Sequence, residues 1–409
     1  MSTRTAFLAL VAVAAALAVG LVVELEGDPE ISDTPVYQFY GERIAGGDVP
    51  YRDFVVEYPP GALVPFVAPA LLTSSQDAYE SAFATLMIFT LAAAAVLIVL
   101  SLVAIGGSTL NIVLSVATFL AGVALLGPFV LTRFDLYAAS LTLAAVCAIL
   151  YRRQTLGPLL LGVAIATKIY PAVLLPLLVA RTWRREGRPA ALTALAMTVG
   201  TSLLLYLPFA ILAPEGVVRS VWRQLGRPLQ IESLGSGVLL ALHHALAMPL
   251  GWASGSGSQN LTGTVATVAS ALTTIAGLAA LAFVWMRYAR GDAESDERFV
   301  RYAAAAVVAF VAFGKVVSPQ FLVWLLAIVV LVQGARGIAA IALLVVACAL
   351  TRVWFPSDYW ELVKQFDPTA SWLVLVRDLV LVAVFATLVA RRRRGVAEDP
   401  VRARELEPV

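Results

Sequence analysis

Long apolar runs separated by short polar segments dominate the chain. An α-helix needs roughly 20 apolar residues to cross the hydrocarbon of a bilayer, so these runs predict membrane-spanning helices. Two of the runs, 156–180 and 319–333, are less regular because lysine and proline residues lie within or next to them. The clear candidates are residues 6–23, 82–104, 109–126, 135–151, 190–212, 261–287, 299–315, 337–352 and 372–390.

Positively charged residues indicate how the two irregular runs fold, since Lys and Arg collect in the cytoplasmic loops of membrane proteins. If 156–180 crossed the membrane once, the arginines after it would face the opposite side from Arg152 and Arg153. A hairpin with arms 156–168 and 171–180 keeps both clusters cytoplasmic. The same reasoning makes 299–315 and 319–333 a second hairpin. The sequence therefore predicts an all-α polytopic membrane protein of about twelve transmembrane helices, with both ends in the cytoplasm.

This topology divides the chain into one transmembrane domain, residues 1–390, and a basic cytoplasmic tail, residues 391–409. Two long segments, 24–81 and 214–260, lie outside the membrane. We expect the first apolar run to be an uncleaved anchor, because its core is longer than that of a signal peptide and no clean cleavage site follows it.

The composition supports this class of protein. Of 409 residues, 60% are hydrophobic and 14% are charged, against about 25% charged in ordinary soluble domains. The net charge of +2 is spread along the chain, which gives no indication of a nucleic-acid partner. Both cysteines lie in apolar runs, and His243 and His244, being adjacent, point about 100° apart on a helix. We therefore predict no metal site.

The first external segment, residues 24–81, carries eleven acidic residues and two basic ones. Its residues 32–35, Ser-Asp-Thr-Pro, predict the start of a helix, and the two glycines at 46 and 47 predict its end. Residues 60–72 are apolar but too short to span, so we expect an interfacial helix on the outer leaflet. Four side chains share one face of the first helix at helical spacing: Val36, Tyr37, Tyr40 and Ile44.

A few charged residues have more than one interpretation. Asp33 could act only as a helix cap, which is worth about 1 kcal/mol. Lys168 and Lys315 lie at the turns of the two hairpins, where a charge usually faces a cavity or a partner. Lys168 could instead snorkel to the interface or pair with Asp135. Arg377, beside Asp378, is a third base within an apolar run.

Several motifs together resemble glycosyltransferase family 87. The first external loop of that family resembles Asp33-x-x-x-Tyr37, then GGDVPYRDF at residues 46–54, then Glu57-Tyr58-Pro59-Pro60. Three later motifs also resemble the family and occur in the same order. They are Arg133-Phe134-Asp135, Lys168-Ile169-Tyr170-Pro171, and KVVSPQFLVW at residues 315–324.

The resemblance implies a GT-C fold and a transfer of mannose from a polyprenyl-phosphate donor, as in related enzymes common in actinobacteria. It implies that Asp33 is the general base that deprotonates the acceptor hydroxyl in an inverting reaction. No cofactor is expected beyond the lipid-linked donor. From charge and placement, the candidates for binding the donor phosphate are Lys168, Lys315, Arg227, and the histidines, His243 first.

Other polar and aromatic residues are expected to shape the loop or the acceptor site, although Arg133 and Asp135 could simply form a local ion pair. These residues are Tyr37, Glu57, Tyr58, Arg133, Asp135 and Gln320. The acceptor is expected to be a lipid or a glycan, with the active site on the extracytoplasmic face of the plasma membrane. Two alternatives stay open: an arabinofuranosyltransferase that uses polyprenyl-phosphate arabinose, and a transporter or flippase, whose broken helices would look alike.

Overall fold

The computed structural model describes Gly20 and residues 31–390, and these residues form a bundle of helices. The first eight helices are α1 Thr34–Ala45, α2 Leu63–Ala70, α3 Gln76–Ala104, α4 Thr109–Leu126, α5 Asp135–Leu150, α6 Leu156–Thr167, α7 Leu175–Glu186 and α8 Arg188–Leu212. The others are α9 Pro214–Leu225, α10 Leu234–Leu246, α11 Thr264–Ala289, α12 Asp296–Ala312, α13 Phe321–Val329, α14 Gly334–Trp354, α15 Tyr359–Gln365 and α16 Pro368–Val389.

Within the described residues, six helices are long and apolar enough to cross a membrane: α3, α4, α8, α11, α14 and α16. The chain is thus a multi-pass, mainly helical membrane protein. Helices α5, α6, α12 and α13 correspond to predicted passes but are shorter, so the count of twelve stays a prediction. The predicted first pass, 6–23, and the tail, 391–409, lie outside the described residues.

The predicted hairpin at 156–180 is present. Helix α6 ends at Thr167, Lys168 is extended, and Pro171 opens a 3-10 turn that leads into α7. The proline lacks a backbone N–H and cannot continue α6. The far end of α7 returns to the end of α5, where Arg152, Arg181 and Arg185 all contact Asp296. The two arginine clusters therefore share one end of the bundle, which we call the arginine-rich end.

The opposite end of the bundle carries the loop that the sequence predicts to be external, and we call it the loop end. Helices α5 and α12 run between the two ends, since Asp135 and Arg152 flank α5 while Asp296 and Lys315 flank α12. The short helix α13 lies at the centre and all nine of its residues are buried. In contrast, α8 and α11 bury few residues, so their apolar outer faces are available to lipid.

Helix α1 confirms the predicted start at residues 32–35 and the predicted end at Gly46. Its buried residues include Tyr37 and Tyr40, as expected, but Val36 is 45% exposed. The prediction for Val36 was wrong, because the buried face is centred on the two tyrosines. The apolar stretch at residues 60–72 forms a 3-10 turn followed by α2, whose buried side packs on α1.

The second segment that is predicted to be external, residues 214–260, leads into an antiparallel hairpin that the sequence did not predict: β1, Gly251–Gly255, pairs with β2, Ser258–Thr262. Ser256 and Gly257 both have positive φ, as a two-residue turn between strands requires. Residues 229–231 extend the pairing, because Ile231 N donates to Gln259 O and Leu261 N donates to Leu229 O. The hairpin thereby fixes the backbone on either side of Gln230.

We expect Asp296→Asn to lower the thermal unfolding midpoint of the protein in detergent. The substitution removes the charge shared by three arginines, and the Arg181 side chain is almost fully buried. The expected loss is about 1–3 kcal/mol, below that of a fully buried pair because Asp296 is partly exposed. Glu297→Gln is the matched control, since Glu297 occupies the same first turn of α12. Equal shifts in both variants would contradict the assigned role of Asp296.

Candidate functional site

Asp33 lies immediately before α1, with a side chain that is 31% exposed. Its Oδ2 atom forms an ion pair with the Arg133 guanidinium and accepts a hydrogen bond from the Tyr37 hydroxyl at 3.3 Å. The carboxylate makes no capping bond to the helix backbone. The interpretation of Asp33 as only a helix cap is therefore wrong.

An aromatic cluster holds Tyr37 in place. Its ring stacks on Phe66 of α2 at a centroid distance of 4.2 Å and meets the edges of Tyr58 and Phe134. Burial raises the pKa of Tyr37 well above its ordinary value, so the hydroxyl stays protonated and can donate to Asp33. The cluster brings together three sequence motifs, those of Tyr37, Tyr58 and Phe134, next to the Asp33 carboxylate.

Arg133 follows a 3-10 turn, Pro128–Thr132, and precedes α5. Besides Asp33, its guanidinium donates to the carbonyl of Ile31, and its Nε atom has no hydrogen-bond partner among the described residues. Burial lowers the pKa of Arg133 to about 10, which leaves it charged at neutral pH. The expected local pair between Arg133 and Asp135 is absent from the described residues, because each of the two turns to another partner.

Lys168 is the partner of Asp135. Its Nζ atom lies 2.6 Å from Asp135 Oδ1 and close to the rings of Phe134 and Trp324, at 4.3 and 4.8 Å. The second oxygen of Asp135 is buried without a hydrogen-bond partner in the described part of the chain. Lys168 is thus enclosed by a carboxylate and aromatic faces, and does not extend freely to the interface.

Lys315 and Arg227 lie at the loop end and form no ion pair within residues 31–390. Lys315 Nζ donates to Leu225 O at 2.8 Å, and its own carbonyl accepts from Gln230 N at 2.9 Å. Burial lowers the pKa of Arg227, while the nearby charge of Glu57 raises it. These two cations can therefore receive an anion without first breaking a salt bridge.

The other predicted residues take varied positions. The carbonyl of Glu57 accepts from Gln224, and that of Tyr58 accepts from the Tyr51 hydroxyl, so both carbonyls anchor the loop. Gln320 precedes α13, where its backbone carbonyl accepts from Val323 N. His243 contacts Met248 O at 2.7 Å and the Phe366 ring. Neither contact brings His243 to Asp33, Arg133 or Tyr37.

Glu232 is a site residue that the sequence analysis missed. It is 1% exposed, its Oε2 atom accepts from the Gln230 side chain, and its carbonyl accepts from the fully buried Arg377 at 2.7 Å. Burial raises the pKa of Glu232 to about 7. A signal was available, because Glu232 is the only acidic residue between Glu215 and Asp292.

Arg377 has a further close neighbour in Asp378. Its Nε atom lies 2.8 Å from Asp378 Oδ1, although the angles are not those of a hydrogen bond. The Gln230 amide, which contacts Glu232, also donates to Ser318 beside Lys315 at 3.0 Å. A buried polar network thus leads from the centre of α16 to the cations at the loop end.

The sequence model of glycosyltransferase family 87 matches residues 54–319. The chain belongs to glycosyltransferase family 87. It is therefore a membrane glycosyltransferase, as the resemblance of its motifs implied. The matched region of the family 87 protein includes Arg133, Lys168, Arg227 and Lys315 and begins after Asp33. No curated protein matches the chain.

A cavity of about 1100 Å³ lies at the arginine-rich end of this family 87 protein, and none of the predicted site residues lines it. We place the candidate site at the loop end despite that volume, because the accessible Asp33 carboxylate lies there, as do Lys315 and Arg227, which form no ion pair within residues 31–390. In the described residues, no group of three or more His, Cys, Asp or Glu side chains could hold a metal ion.

We expect Lys168→Met to destabilise the protein by about 3–5 kcal/mol, because Asp135 would keep a buried charge without a partner. The double variant Lys168→Met, Asp135→Asn should recover a large part of this loss, since it buries neither charge. Thermal unfolding in detergent measures both effects. Losses that simply add would show that the two side chains do not interact.

We expect the thermal midpoint of the wild type to fall as the pH rises from about 5 to about 8, and Glu232→Gln to reduce that fall. With its pKa raised from 4.5 to about 7, Glu232 keeps a proton in the native state that the unfolded chain has already lost. Folding thus binds a proton in this window, and stability decreases with pH by at most about 3 kcal/mol. Identical pH profiles for variant and wild type would contradict this.

Proposed function

We propose that the protein transfers a hexose, mannose in the first instance, from a polyprenyl-phosphate sugar to a lipid or glycan acceptor with inversion, using Asp33 as general base. One observation carries this proposal. The Asp33 carboxylate is held through Oδ2 by Arg133 and Tyr37, while Oδ1 has no hydrogen-bond partner among residues 31–390. A fixed, accessible oxygen of this kind is what proton abstraction from an incoming hydroxyl requires.

The reaction is a single displacement. Asp33 Oδ1 accepts the proton of the acceptor hydroxyl as the hydroxyl oxygen attacks the anomeric carbon of the donor. The bond from that carbon to the phosphate oxygen breaks, and its electron pair leaves with the phosphate. One base suffices for inversion, whereas retention needs a second carboxylate as nucleophile. The carboxylate of Asp135 is buried and is paired with Lys168 through Oδ1, so it is not free to act as a nucleophile, which supports inversion.

The departing phosphate gains negative charge, which fixed cations stabilise. The contacts favour Arg227 and Lys315 for this role, because neither is paired with a carboxylate in the described structure. Lys168 is engaged by Asp135, and His243 contacts other residues. Arg133 is better suited to orienting Asp33 than to receiving the donor, since the ion pair already uses its Nη1 atom.

The neighbourhood of these cations suits a donor with a membrane anchor. Helix α9 ends next to Lys315, and Val218, Leu225 and Trp222 are exposed on it, Trp222 at 67%. Exposed tryptophan on an amphipathic helix is typical of the membrane–water interface. A polyprenyl chain in the bilayer could therefore reach the cations from the side. The positive-inside rule puts the arginine-rich end in the cytoplasm and this end outside.

We expect Asp33→Asn to reduce transfer by at least about a hundredfold, because the amide cannot accept the proton. The assay incubates purified protein in detergent with polyprenyl-phosphate mannose and a lipid acceptor extract, and detects the glycosylated product. Detergent removes any closed compartment, so product formation excludes pure transport. A parallel reaction with polyprenyl-phosphate arabinose tests the alternative donor.

Asp77→Asn is the control for this experiment. Asp77 is an exposed acid in the first turn of α3, and it forms no ion pair in the described structure. We expect it to keep the wild-type rate. Transfer by folded Asp33→Asn within tenfold of the control would remove Asp33 from the role of base. Transfer of arabinose in place of mannose would keep Asp33 as the proposed base and replace mannose as the proposed donor sugar.

A further inference from the structure

Five arginines line the cavity at the arginine-rich end, and they come from three separate parts of the chain. Arg287 and Arg290 lie at the end of α11, Arg298 and Arg301 in the first turns of α12, and Arg336 at the start of α14. Asp292 and Glu297 are the acids in the lining. Five positive charges against two negative ones leave an excess of three positive charges around one cavity.

These arginines differ from their neighbours at the same end of the bundle. Arg152, Arg181 and Arg185 converge on Asp296, whereas none of the five cavity arginines forms an ion pair within residues 31–390. Asp292 accepts two backbone N–H groups of its own turn. The positive-inside rule explains why arginines lie at this end, but it does not explain why five of them converge around one cavity in which they outnumber the acids.

Two of the guanidinium groups are held in position. Arg298 Nη2 donates to Arg287 O at 2.6 Å, and the guanidinium lies 4.6 Å from the centre of the Tyr302 ring. The guanidinium of Arg301 lies 5.0 Å from the same ring. Arg298 Nε is buried and has no hydrogen-bond partner in the described part of the chain. The Arg287 carbonyl and the Tyr302 ring therefore fix where these two positive charges lie beside the cavity.

One wall of the cavity is apolar. Ile105 after α3 and Phe283 and Met286 of α11 contribute to it, and Phe283 and Met286 are exposed. The cavity therefore places exposed apolar side chains of α11, a helix that buries few of its residues, beside the arginines. A phosphate group matches the planar donors of arginine, and an attached hydrocarbon chain matches the apolar wall.

We propose that this cavity binds a phosphate-bearing anion, either the headgroup of an anionic phospholipid or free phosphate. The site is separate from the candidate site around Asp33, which lies at the other end of the bundle. A lipid bound here would neutralise the excess charge that α11, α12 and α14 bring together, and would hold their ends in one arrangement.

The test measures binding by titration calorimetry with protein purified in an uncharged detergent. The probes are dihexanoyl-phosphatidylglycerol, dihexanoyl-phosphatidylcholine and inorganic phosphate. We expect the wild type to prefer phosphatidylglycerol over phosphatidylcholine. The double variant Arg298→Gln, Arg301→Gln should raise the Kd for phosphatidylglycerol by at least about tenfold, since it removes two charged donors.

The control double variant Arg153→Gln, Arg188→Gln removes two exposed arginines at the same end of the bundle but outside this cavity. It should bind as the wild type does. Arg336→Gln covers the case in which the first double variant does not fold, because no side-chain hydrogen bond or ion pair of Arg336 exists in the described structure. It should weaken binding by about threefold.

Inorganic phosphate identifies the source of the ligand. Competition by phosphate supports a site for the free anion, and failure to compete while phosphatidylglycerol binds supports a headgroup site. Two results would overturn the proposal. One is the absence of binding of both phosphatidylglycerol and phosphate to the wild type, and the other is an equal loss of binding in the cavity and control double variants.

Discussion

A charged side chain inside a helical bundle is stable only when a partner replaces the water that the side chain has lost. Asp135 at the start of α5 pairs with Lys168 in the break after α6, and Arg181 of α7 pairs with Asp296 of α12. Since the partners of each pair come from different helices, each pair fixes one helix relative to another. The ends of the bundle are held by these pairs, and its centre by close packing around α13.

The need for a partner also distinguishes charges that hold the fold together from charges that are available to bind a substrate. Arg133 and Asp33 pair at the edge of the protein, where one carboxylate oxygen stays accessible. Arg227 and Lys315 have no carboxylate partner in the described structure, and they lie where the loop meets α9 and the residues before α13. The proposed transfer from a phosphate-linked sugar needs both kinds of group: an oriented base, and cations without a carboxylate partner for the leaving group.

Local features of the fold were predictable from the sequence, whereas pairs of side chains that are far apart in the sequence were not. The start of α1 and the break at Pro171 follow from the conformational limits of single residues, and the arginine clusters gave the direction of the first hairpin. The pairing of Asp33 with Arg133 joins residues a hundred positions apart, and no spacing rule reaches that far. Glu232 becomes notable only through burial against Arg377, which depends on tertiary packing.

The β1–β2 hairpin illustrates the same limit, because its polar strands lack the alternating apolar pattern by which strands are normally recognised. The motif around Asp33 predicts that residue as the base but not its surroundings. The aromatic rings that pack on Tyr37 come from α2, the Glu57–Pro60 segment and the residue before α5. Such a cluster exists only once the chain has folded.

The hydrogen bonds between the external segments have a consequence for evolution and for protein engineering. Gln224 donates to the carbonyl of Glu57, Lys315 to that of Leu225, and Gln230 N to that of Lys315. Three stretches of chain far apart in sequence thus form one interlocked surface. Because Gln224 reaches a main-chain carbonyl, a first loop exchanged between related transferases can change its side chains as long as it keeps the backbone path at residue 57.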